Sequence, residues 1–491
     1  MELEALRARM DAVDWELCEL LTRRMDIAKE IGLWKREHGY PVGDAAREGE
    51  KLEVITREAR ADMEPLLEDV YLRLFARSRA VQQEILADAE FGLLGEKLCH
   101  SWSPRLHKLL GGYDYSLFAV PENELADFLA TTKCRGLNVT TPYKKAVLPY
   151  CHSLTPAAKT IGSVNTMLRT ADGWFGDNTD YGGFFALVLA LGVRPAGLHA
   201  LVLGSGGAGV MAAQVLRDMG AAQVDIVSRK GPVNYENLDH WADLIVNATP
   251  VGMYPNNDAA PIDLREFPKC RGVIDLIYNP MRTRLMLDAE RLGIPHVSGL
   301  KMLVAQAAQA AELFLGKKLP PYNDVENAMQ REMENIILIG MPGSGKTEIG
   351  RLLAEAMGRP FYDTDAYITK QHGNIPNIIK NEGEAAFREM EADAVQELGS
   401  GWSSVLATGG GVVMREENYN HLRQNGRIIW LKRPLDELPT DGRPLSTDLE
   451  ALAALREPKY AAWADNIIEN TGTPQETVNK ILELVQKDVS Q

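Results

Sequence analysis

A glycine-rich loop near residue 340 has the residue types and the spacing that bind a nucleotide phosphate. The string Gly340-x-x-x-x-Gly345-Lys346-Thr347 follows the apolar run NIILI and precedes a helical stretch. In such a loop, backbone amides hold the β- and γ-phosphates, the lysine neutralises them and the threonine ligates Mg²⁺. The sequence therefore predicts a site for ATP with Mg²⁺, built from Gly340, Gly343, Ser344, Gly345, Lys346 and Thr347.

A second glycine-rich turn, in the string LVLGSGGAGVMAAQVL, lies between a strand pattern and a helix pattern. Its spaced glycines are Gly204, Gly206 and Gly209. They permit a tight turn and a close approach of a pyrophosphate, although such turns also occur for packing alone. The next strand, QVDIVS, ends in Ser228, Arg229 and Lys230. Because basic residues there suit a ribose 2′-phosphate, the sequence favours NADP(H) over NAD.

Basic residues also lie on the helical pattern of the first 88 residues. Arg24 and Lys35 are eleven residues apart, which is three helical turns, so they share a face. Ser78 and Gln82 share a face at a spacing of four. Composition alone favours a helical hairpin that serves as a dimerisation arm with solvated charges. A cationic pocket for an anion is the alternative.

Composition limits the classes of protein that these residues can belong to. The chain has 491 residues, a formal charge of −15, 45% hydrophobic residues and five scattered cysteines. This length predicts roughly three domains, and the apolar fraction excludes wholesale disorder. The acidic balance argues against nucleic acid or an anionic membrane as a partner. The cysteine pattern, an N-terminus unlike a signal peptide and the lack of a long apolar run predict a cytoplasmic protein without a membrane span.

The elements that must position these residues follow one another in three patterns. Residues 1–88 show helical periodicity almost throughout. Residues 90–327 alternate short β-type runs with helical stretches, the pattern of a parallel sheet. A second α/β pattern occupies residues 333–491. We therefore predict a multi-domain fold with an all-α N-terminal domain and two α/β regions, the last of them with the phosphate-binding loop.

The first segment resembles the all-helical chorismate mutases over its whole length. The matching strings are ALRARMD, LLTRRMDIAKEIGLWK, PVGDAAREGE and FARSRAVQ. The resemblance implies Lys35 and Gln82 as catalytic residues. It implies as further pocket residues Arg7, Arg24, Asp44, Arg47, Glu48 and Ser78. Because Arg7 and Lys35 are about 40 Å apart on a straight helix, both can bind substrate only if Arg7 reaches a partner's site. A homodimer is therefore expected.

The central segment resembles shikimate dehydrogenase over about 235 residues. The matching strings include SWSP, NVTTPYK, SVNT, GDNTD, NAT, DLIY and GLKMLVAQ. The resemblance implies a catalytic pair, Lys144 and Asp180, and a cofactor domain spanning roughly 190–298, with the substrate domain at about 90–189 and 299–327. The substrate residues that it implies are Ser101, Ser103, Thr140, Asn165, Tyr278 and Gln306. It adds as cofactor residues Gly207, Asn247 and Gly299.

The C-terminal segment resembles shikimate kinase. The strings are FYDTD, EAAFRE, ATGGG, GRPLS and REPKY. The resemblance implies Asp365 as base or orienting residue, Asp363 near Mg²⁺ and Arg443 as the lid arginine. It implies as residues that hold shikimate Arg388, Gly409, Gly410, Gly411 and Arg456. The segment before GRPL is shorter than the family's lid and lacks its usual basic residues.

These resemblances share one biosynthetic route and imply three activities on small molecules. The chain would reduce 3-dehydroshikimate with NADPH, phosphorylate shikimate with ATP and rearrange chorismate to prephenate. Two alternatives stay open at this point. The helical segment is a non-catalytic dimerisation or regulatory module, or the dehydrogenase acts on quinate with NAD.

Overall fold

A computed structural model describes residues 3–38, 40, 42, 45–60, 62–86, 89–98, 101–438 and 449–487. Contacts within the chain group it into two compact units. One unit comprises residues 1–182 and 305–322, and the other comprises residues 183–304 and 323–491. This grouping does not follow the motif-based segments, so the limits 1–88, 90–327 and 333–491 stay predictions.

The N-terminal part of the first unit consists of three helices, α1 Leu3–His38, α2 Ala45–Glu58 and α3 Glu64–Leu86. The long helix α1 matches the prediction of an unbroken helix, because no proline or glycine pair interrupts the pattern before residue 38. Helices α1 and α3 contact each other along their length, and α2 contacts α3. The described residues 3–86 contain no strand.

The first unit also contains a six-stranded sheet. Its strands are β1 Phe91–Gly95, β2 Tyr115–Ala119, β3 Gly136–Val139, β4 Cys151–Leu154, β5 Thr166–Thr170 and β6 Gly173–Asp177. The strand order is β2-β1-β3-β5-β6-β4. The pairs β3–β5 and β5–β6 are antiparallel, which differs from the parallel pattern predicted. For β5 and β6 the cause is local, because the two residues between these strands suffice for a hairpin but not for a crossover.

Helices surround this sheet and position the residues at its edge. They are α4 Ser103–Gly111, α5 Leu125–Thr131, α6 Pro156–Ile161, α7 Thr179–Leu191 and α10 Leu300–Leu315. A buried core lies beneath the strands, with Leu94, Leu137 and Met167 fully excluded from solvent. The strands β1, β2 and β3 run parallel, so their carboxyl ends meet at one edge.

The second unit begins with a five-stranded parallel sheet. Its elements are β7 His199–Leu203, α8 Gly207–Asp218, β8 Gln223–Val227, β9 Leu244–Asn247, β10 Gly272–Asp275, α9 Arg284–Arg291 and β11 His296–Ser298. The order β11-β10-β9-β7-β8, parallel throughout, confirms the predicted dinucleotide-binding arrangement. Strands β7 and β9 are buried on both faces, which explains their nearly continuous apolar sequences.

The second unit ends with another parallel sheet, of order β13-β14-β12-β15-β16. Its strands are β12 Asn335–Ile339, β13 Phe361–Asp363, β14 Val405–Ala407, β15 Gly426–Lys432 and β16 Asn466–Glu469. Its helices are α11 Asn323–Met333, α12 Lys346–Met357, α13 Thr364–His372, α14 Ile375–Glu382, α15 Glu384–Gly399, α16 Glu416–Asn425, α17 Leu449–Trp463 and α18 Pro474–Lys487. The phosphate-binding loop joins the central strand β12 to α12, as the sequence predicts.

Candidate active sites

Lys144 and Asp180 form an ion pair in the first unit. The Lys144 Nζ donates to Asp180 Oδ2 at 2.6 Å, and both side chains retain contact with solvent. Lys144 follows β3 and the turn in which the Tyr143 amide bonds the Thr140 carbonyl. Asp180 lies in the first turn of α7. The structure thus brings together the two residues that the sequence predicts as a catalytic pair.

A buried polar network holds the first turn of α7. Asn165, only 3% exposed, accepts a hydrogen bond from the Thr179 backbone amide at 2.7 Å. Thr166 accepts a bond from Asn138 and contacts Thr179. Because the network fixes the residue next to Asp180, it orients the carboxylate toward Lys144. Asn165 therefore positions this site, and its predicted contact with substrate stays a prediction.

The remaining predicted substrate residues of the first unit lie in loops or at helix starts. Ser101 Oγ accepts the Ser103 amide at 3.2 Å just before α4, and both side chains are half-buried. Thr140 directly follows β3, and Gln306 lies on α10 with a half-buried side chain. Tyr278 and Gly299 belong to the second unit, after β10 and β11 respectively.

His107 is a buried residue of α4, and its partners are aromatic side chains. Its ring stacks on Tyr115 with centroids 4.0 Å apart, and Nδ1 shares a hydrogen bond with the Tyr113 hydroxyl. Burial lowers the pKa of His107 to about 3, so the ring is neutral at physiological pH.

The glycine-rich turn of the second unit fits a pyrophosphate. A Cβ added at Gly206 or Gly207 would meet no atom within 4 Å, so the space before α8 is open. At Gly209, a Cβ would lie 1.9 Å from the Gly204 carbonyl oxygen, so only glycine allows the helix to approach the strand. Arg229 and Lys230 follow β8 with exposed side chains. These features fit NADP(H) held by Gly204, Gly206, Gly207, Gly209, Ser228, Arg229 and Lys230.

Asn247, predicted to contact the cofactor, lies in a buried network beneath the turn. Its Nδ2 bonds both carboxylate oxygens of Asp275 at 3.1 Å, and Thr283 donates to Asp275 Oδ2 at 2.6 Å. Burial raises the pKa of Asp275 to about 6, opposed by these hydrogen bonds. A Cβ at Gly299 would lie 2.1 Å from the Leu276 carbonyl, which explains that glycine by packing.

The C-terminal sheet carries a cavity of about 590 Å³ at the carboxyl end of β12. Its lining includes the phosphate-binding loop, the glycine triplet and several charged side chains: Gly343, Gly345, Lys346, Thr347, Asp363, Asp365, Arg388, Glu391, Gly409, Gly410, Gly411, Arg433 and Arg456. The structure therefore brings most of the predicted nucleotide residues and all five predicted shikimate residues into one cavity; Gly340 and Ser344 do not line it. Arg443 and the shortened lid lie outside the described residues.

The phosphate-binding loop has the geometry of an anion site. Lys346 Nζ bonds the carbonyl oxygens of Gly340 and Met341 at 2.9 and 3.0 Å. Thr347 Oγ1 donates to Asp363 Oδ2 at 2.7 Å, so the two predicted Mg²⁺ ligands are adjacent. One or two such oxygens with phosphate and water complete the coordination that Mg²⁺ prefers. Among the described residues, no group of three or more His, Cys, Asp or Glu forms a separate metal site.

Arg388 is oriented by a glutamate that the sequence reasoning missed. Arg388 Nη1 bonds Glu391 Oε2 at 2.7 Å, and Glu391 is 1% exposed. Burial raises the pKa of Glu391, and Arg388 opposes this effect. The spacing of three on a helix was the available signal. Arg456 lies in the same buried region, where its Nε has no hydrogen-bond partner among the described residues.

The glycine triplet lets these charged side chains approach the backbone. A Cβ at Gly411 would lie 2.0 Å from Arg388 Nη1, and one at Gly409 would lie 2.8 Å from Asp365 Oδ1. At Gly410, a Cβ would lie 2.7 Å from Pro342 of the phosphate-binding loop. The triplet therefore lies in close contact with the phosphate-binding loop, with the Asp365 carboxylate and with the Arg388 guanidinium.

The helical segment brings together some of its predicted pocket residues. Arg24 Nη1 donates to Ser78 Oγ at 2.7 Å between α1 and α3. Gln82 is buried, and its Oε1 has no partner among the described residues. Lys35 Nζ bonds the Val42 carbonyl at 2.6 Å, and Glu48 pairs with Arg79.

Two other predicted pocket residues of this segment lie at exposed positions. Arg7 and Arg47 have exposed side chains. Arg7 lies 17 residues before Arg24 on the same helix, or about 25 Å along its axis. Asp44 lies outside the described residues.

Three family models match successive parts of the chain. Chorismate mutase type II matches residues 6–83, the shikimate dehydrogenase substrate binding domain matches 93–167, and shikimate kinase matches 342–486. These segments define a multi-domain α/β enzyme with an all-helical N-terminal region. Among the described residues, no helix has the length and apolarity needed to cross a membrane.

Curated relatives match the central segment of the chain at about one third sequence identity. The chain is similar to the NADP(+) shikimate dehydrogenase of Symbiobacterium thermophilum, 35% identical over 263 residues, covering 47% of this chain and 90% of the relative. That of Clostridium perfringens strain SM101 is 35% identical over 252 residues, covering 47% and 93%. A chorismate mutase/shikimate 5-dehydrogenase fusion from Clostridium acetobutylicum has 34% identity and a TM-score of 0.47, covering 49% and 96%. The chain belongs to the shikimate dehydrogenase family.

Proposed function

We propose that the chain is a trifunctional enzyme of aromatic biosynthesis. It reduces 3-dehydroshikimate with NADPH, phosphorylates shikimate with ATP and rearranges chorismate to prephenate. The observation that carries this proposal is that each matched segment has its own chemically suitable cluster. The first two reactions are consecutive, because the product of the dehydrogenase is the acceptor of the kinase.

The dehydrogenase reaction needs a proton at the ketone oxygen as hydride reaches the carbon. NADPH supplies the hydride when it is bound at the glycine-rich turn. Lys144 polarises the oxygen and donates the proton, and Asp180 holds Lys144 and the neighbouring substrate hydroxyl. The buried network around Asn165 and Thr179 holds the first turn of α7, which contains Asp180.

The kinase reaction needs an oriented hydroxyl and neutralised phosphates. Lys346 and the loop amides hold the nucleotide phosphates, and Thr347 with Asp363 holds Mg²⁺. Asp365 orients the attacking hydroxyl as base or hydrogen-bond acceptor. Arg388 and Arg456 bind the carboxylate of shikimate, because an arginine fork matches a carboxylate. Arg443 would stabilise the transferring charge.

The mutase reaction is a rearrangement that needs only a held conformer and stabilisation of developing charge. Arg24, fixed by Ser78, binds the dianion, while Lys35 and Gln82 face the ether oxygen. The buried, unpartnered Oε1 of Gln82 supports a ligand at this position, because buried amides are rarely left unpaired. This observation favours an active mutase over a purely structural module.

We further propose a homodimer formed through α1. Apolar residues repeat at alternating steps of three and four along its exposed side: Leu3, Leu6, Met10, Val13, Leu17 and Leu20. Met10 is 63% exposed and Leu20 is 62% exposed. Such a stripe is the seam by which helices of two chains associate. The next position of the repeat is Arg24. If the α1 helices of two chains pack antiparallel along this stripe, the amino-terminal part of one helix, which contains Arg7, lies near Arg24 of the other chain.

The free thiols Cys18, Cys134, Cys151 and Cys270 are consistent with a reducing cytoplasm.

The mutase and dimer proposals are tested on one preparation. Loss of chorismate absorbance with formation of prephenate is expected, together with a solution mass of twice 54.3 kDa. A folded dimer without turnover would leave the helical segment as a structural module, and a monomer would contradict the α1 interface. For the dehydrogenase, faster oxidation of quinate with NAD than of shikimate with NADP would contradict the substrate and cofactor assignment.

A further inference from the structure

Helix α16 of the kinase segment consists mainly of polar residues, yet most of its side chains are buried. Its sequence is EENYNHLRQN, and Gln424 is fully buried while Asn425 is 2% exposed. Buried amides are costly unless they are hydrogen-bonded. The partners of these two amides lie largely in the cofactor domain of the dehydrogenase, which belongs to the same compact unit.

Gln424 pairs reciprocally with Asn257. The Gln424 Nε2 donates to the Asn257 carbonyl at 2.8 Å, and the Asn257 side-chain amide donates to Gln424 Oε1. Asn257 is itself only 2% exposed. Two complementary amides without access to water form a specific contact, because either one alone would leave buried groups unsatisfied.

Asn425 bonds the backbone that follows β10. Its Oδ1 accepts the amide of Met281 at 2.9 Å. The carbonyl of Gln424 accepts the amide of Arg282 at 3.0 Å. Arg282 in turn donates through Nη1 to the Arg423 carbonyl at 2.7 Å, at the carboxyl end of α16. Backbone amides and helix-end carbonyls thus satisfy each other across the two segments.

These bonds hold one end of a short loop, which we call the Tyr278 loop and define as residues 276–282. The other end is held within the cofactor domain, where Asp275 accepts the Ile277 amide at 3.0 Å and the Thr283 hydroxyl at 2.6 Å. Asn425 Nδ2 also lies 3.4 Å from Asn279 Oδ1, inside the loop. Tyr278 therefore lies in a loop that is hydrogen-bonded to Asp275 of its own domain at one end and to Asn425 of the kinase segment at the other.

We infer that Gln424 and Asn425 of the kinase segment are positioning residues for the dehydrogenase, because they fix the Tyr278 loop. The inference rests on the proposed dehydrogenase function and on Tyr278 as the substrate residue that the family resemblance implies. It assigns the kinase segment a second role: its helix α16 completes the support of the neighbouring enzyme's binding loop. Neither amide belongs to the phosphate-binding loop or to the shikimate cavity of the kinase.

The test uses the full chain and the variant Asn425→Ala. Loss of the acceptor for Met281 is expected to raise the KM of the dehydrogenase for shikimate about fivefold, the worth of one hydrogen bond. Shikimate kinase activity should be retained. Hydrogen–deuterium exchange of a peptide covering residues 276–283 should become faster, which reports the loop without relying on turnover.

Asn418→Ala is the matched control. Asn418 lies on the same helix and is fully buried, but its Nδ2 bonds the Val412 carbonyl inside the kinase. It should lower stability without changing the KM for shikimate or the exchange of residues 276–283. If both variants change these values equally, general destabilisation explains them and the inference is wrong.

Two further outcomes separate the inference from the proposed function. A wild-type chain that does not oxidise shikimate contradicts the dehydrogenase assignment itself. An active wild type with unchanged KM and exchange in Asn425→Ala overturns the positioning role alone. If Asn425→Ala does not fold, Asn425→Ser replaces it, because the shorter side chain withdraws the acceptor from Met281 but keeps a polar group. Unchanged KM and exchange in that variant would overturn the inference equally.

Discussion

Lys144 and Asp180 lie 36 residues apart in the chain, yet their Nζ and Oδ2 atoms are 2.6 Å apart. One follows β3 and the other begins α7, so strand pairing and the buried Asn165 network produce the contact. The pair joins a lysine ammonium group to a carboxylate. This is the arrangement that carbonyl reduction needs.

Replacing Lys144 by methionine should abolish most dehydrogenase turnover. Loss of a general acid lowers kcat about 10²- to 10⁴-fold, while the nonpolar chain keeps much of the packing. Oxidation of shikimate followed by NADPH absorbance measures it. Lys145→Met is the matched control, because Lys145 is the adjacent exposed lysine. Equal activity of Lys144→Met and wild type would remove Lys144 from the mechanism.

Gly411→Ala should impair shikimate binding by the kinase. The added Cβ would lie 2.0 Å from Arg388 Nη1, so the guanidinium must move away from its present position. Losing a charged hydrogen bond should raise the KM for shikimate about tenfold or more, with the KM for ATP unchanged. Gly401→Ala is the control, since the nearest atom to its Cβ is 3.6 Å away. A selective rise in the KM for ATP would contradict the assignment of Arg388.

Arg24→Ala should lower mutase kcat/KM about 10²-fold, because an arginine that holds the dianion in its reactive conformer is removed. The structural reason is the Arg24–Ser78 bond, which fixes the guanidinium between α1 and α3. Arg23→Ala, at the neighbouring exposed position, should retain activity. Equal losses in the two variants would indicate a general effect on the helix rather than a binding residue.

The stability of the dehydrogenase substrate domain should fall in mild acid because of His107. The unfolded chain binds a proton near pH 6.5, whereas the folded chain does so only near pH 3. Between these values the free energy of unfolding decreases as pH falls, by about 1.4 kcal/mol per pH unit. His107→Phe keeps a ring against Tyr115 and should show a shallower slope in chemical unfolding followed by tryptophan fluorescence. Parallel slopes would show that His107 does not contribute.

Much of the fold was predictable because apolar strand runs and glycine-rich turns are local sequence patterns. The runs HALVLG, QVDIVS, DLIVNAT and GVIDLI are parallel strands in the structure, and both glycine-rich turns join a strand to a helix. The antiparallel pairs β3–β5 and β5–β6 were missed. Alternating strands and helices do not specify which strands are joined by a hairpin.

The candidate sites were predictable where both ends of a contact belong to recognisable motifs. Thr347 of the phosphate-binding loop meets Asp363 of the string FYDTD. Asn425 and Met281 do not follow from sequence, since they are 144 residues apart and neither belongs to a motif. The string EENYNHLRQN has the composition of an exposed helix, and its burial follows from packing against both the kinase helix α15 and the cofactor domain. Long-range polar contacts of this kind have no periodic signal.

The most direct test of a multifunctional chain is a single reaction that requires two of its sites in sequence. Purified chain is mixed with 3-dehydroshikimate, NADPH, ATP and Mg²⁺, and products are followed by mass spectrometry. We predict shikimate 3-phosphate from wild type, accumulation of shikimate in Lys346→Met, and no product from 3-dehydroshikimate in Lys144→Met. Shikimate 3-phosphate formed by Lys346→Met at the wild-type rate, or no shikimate from the wild type, would contradict it.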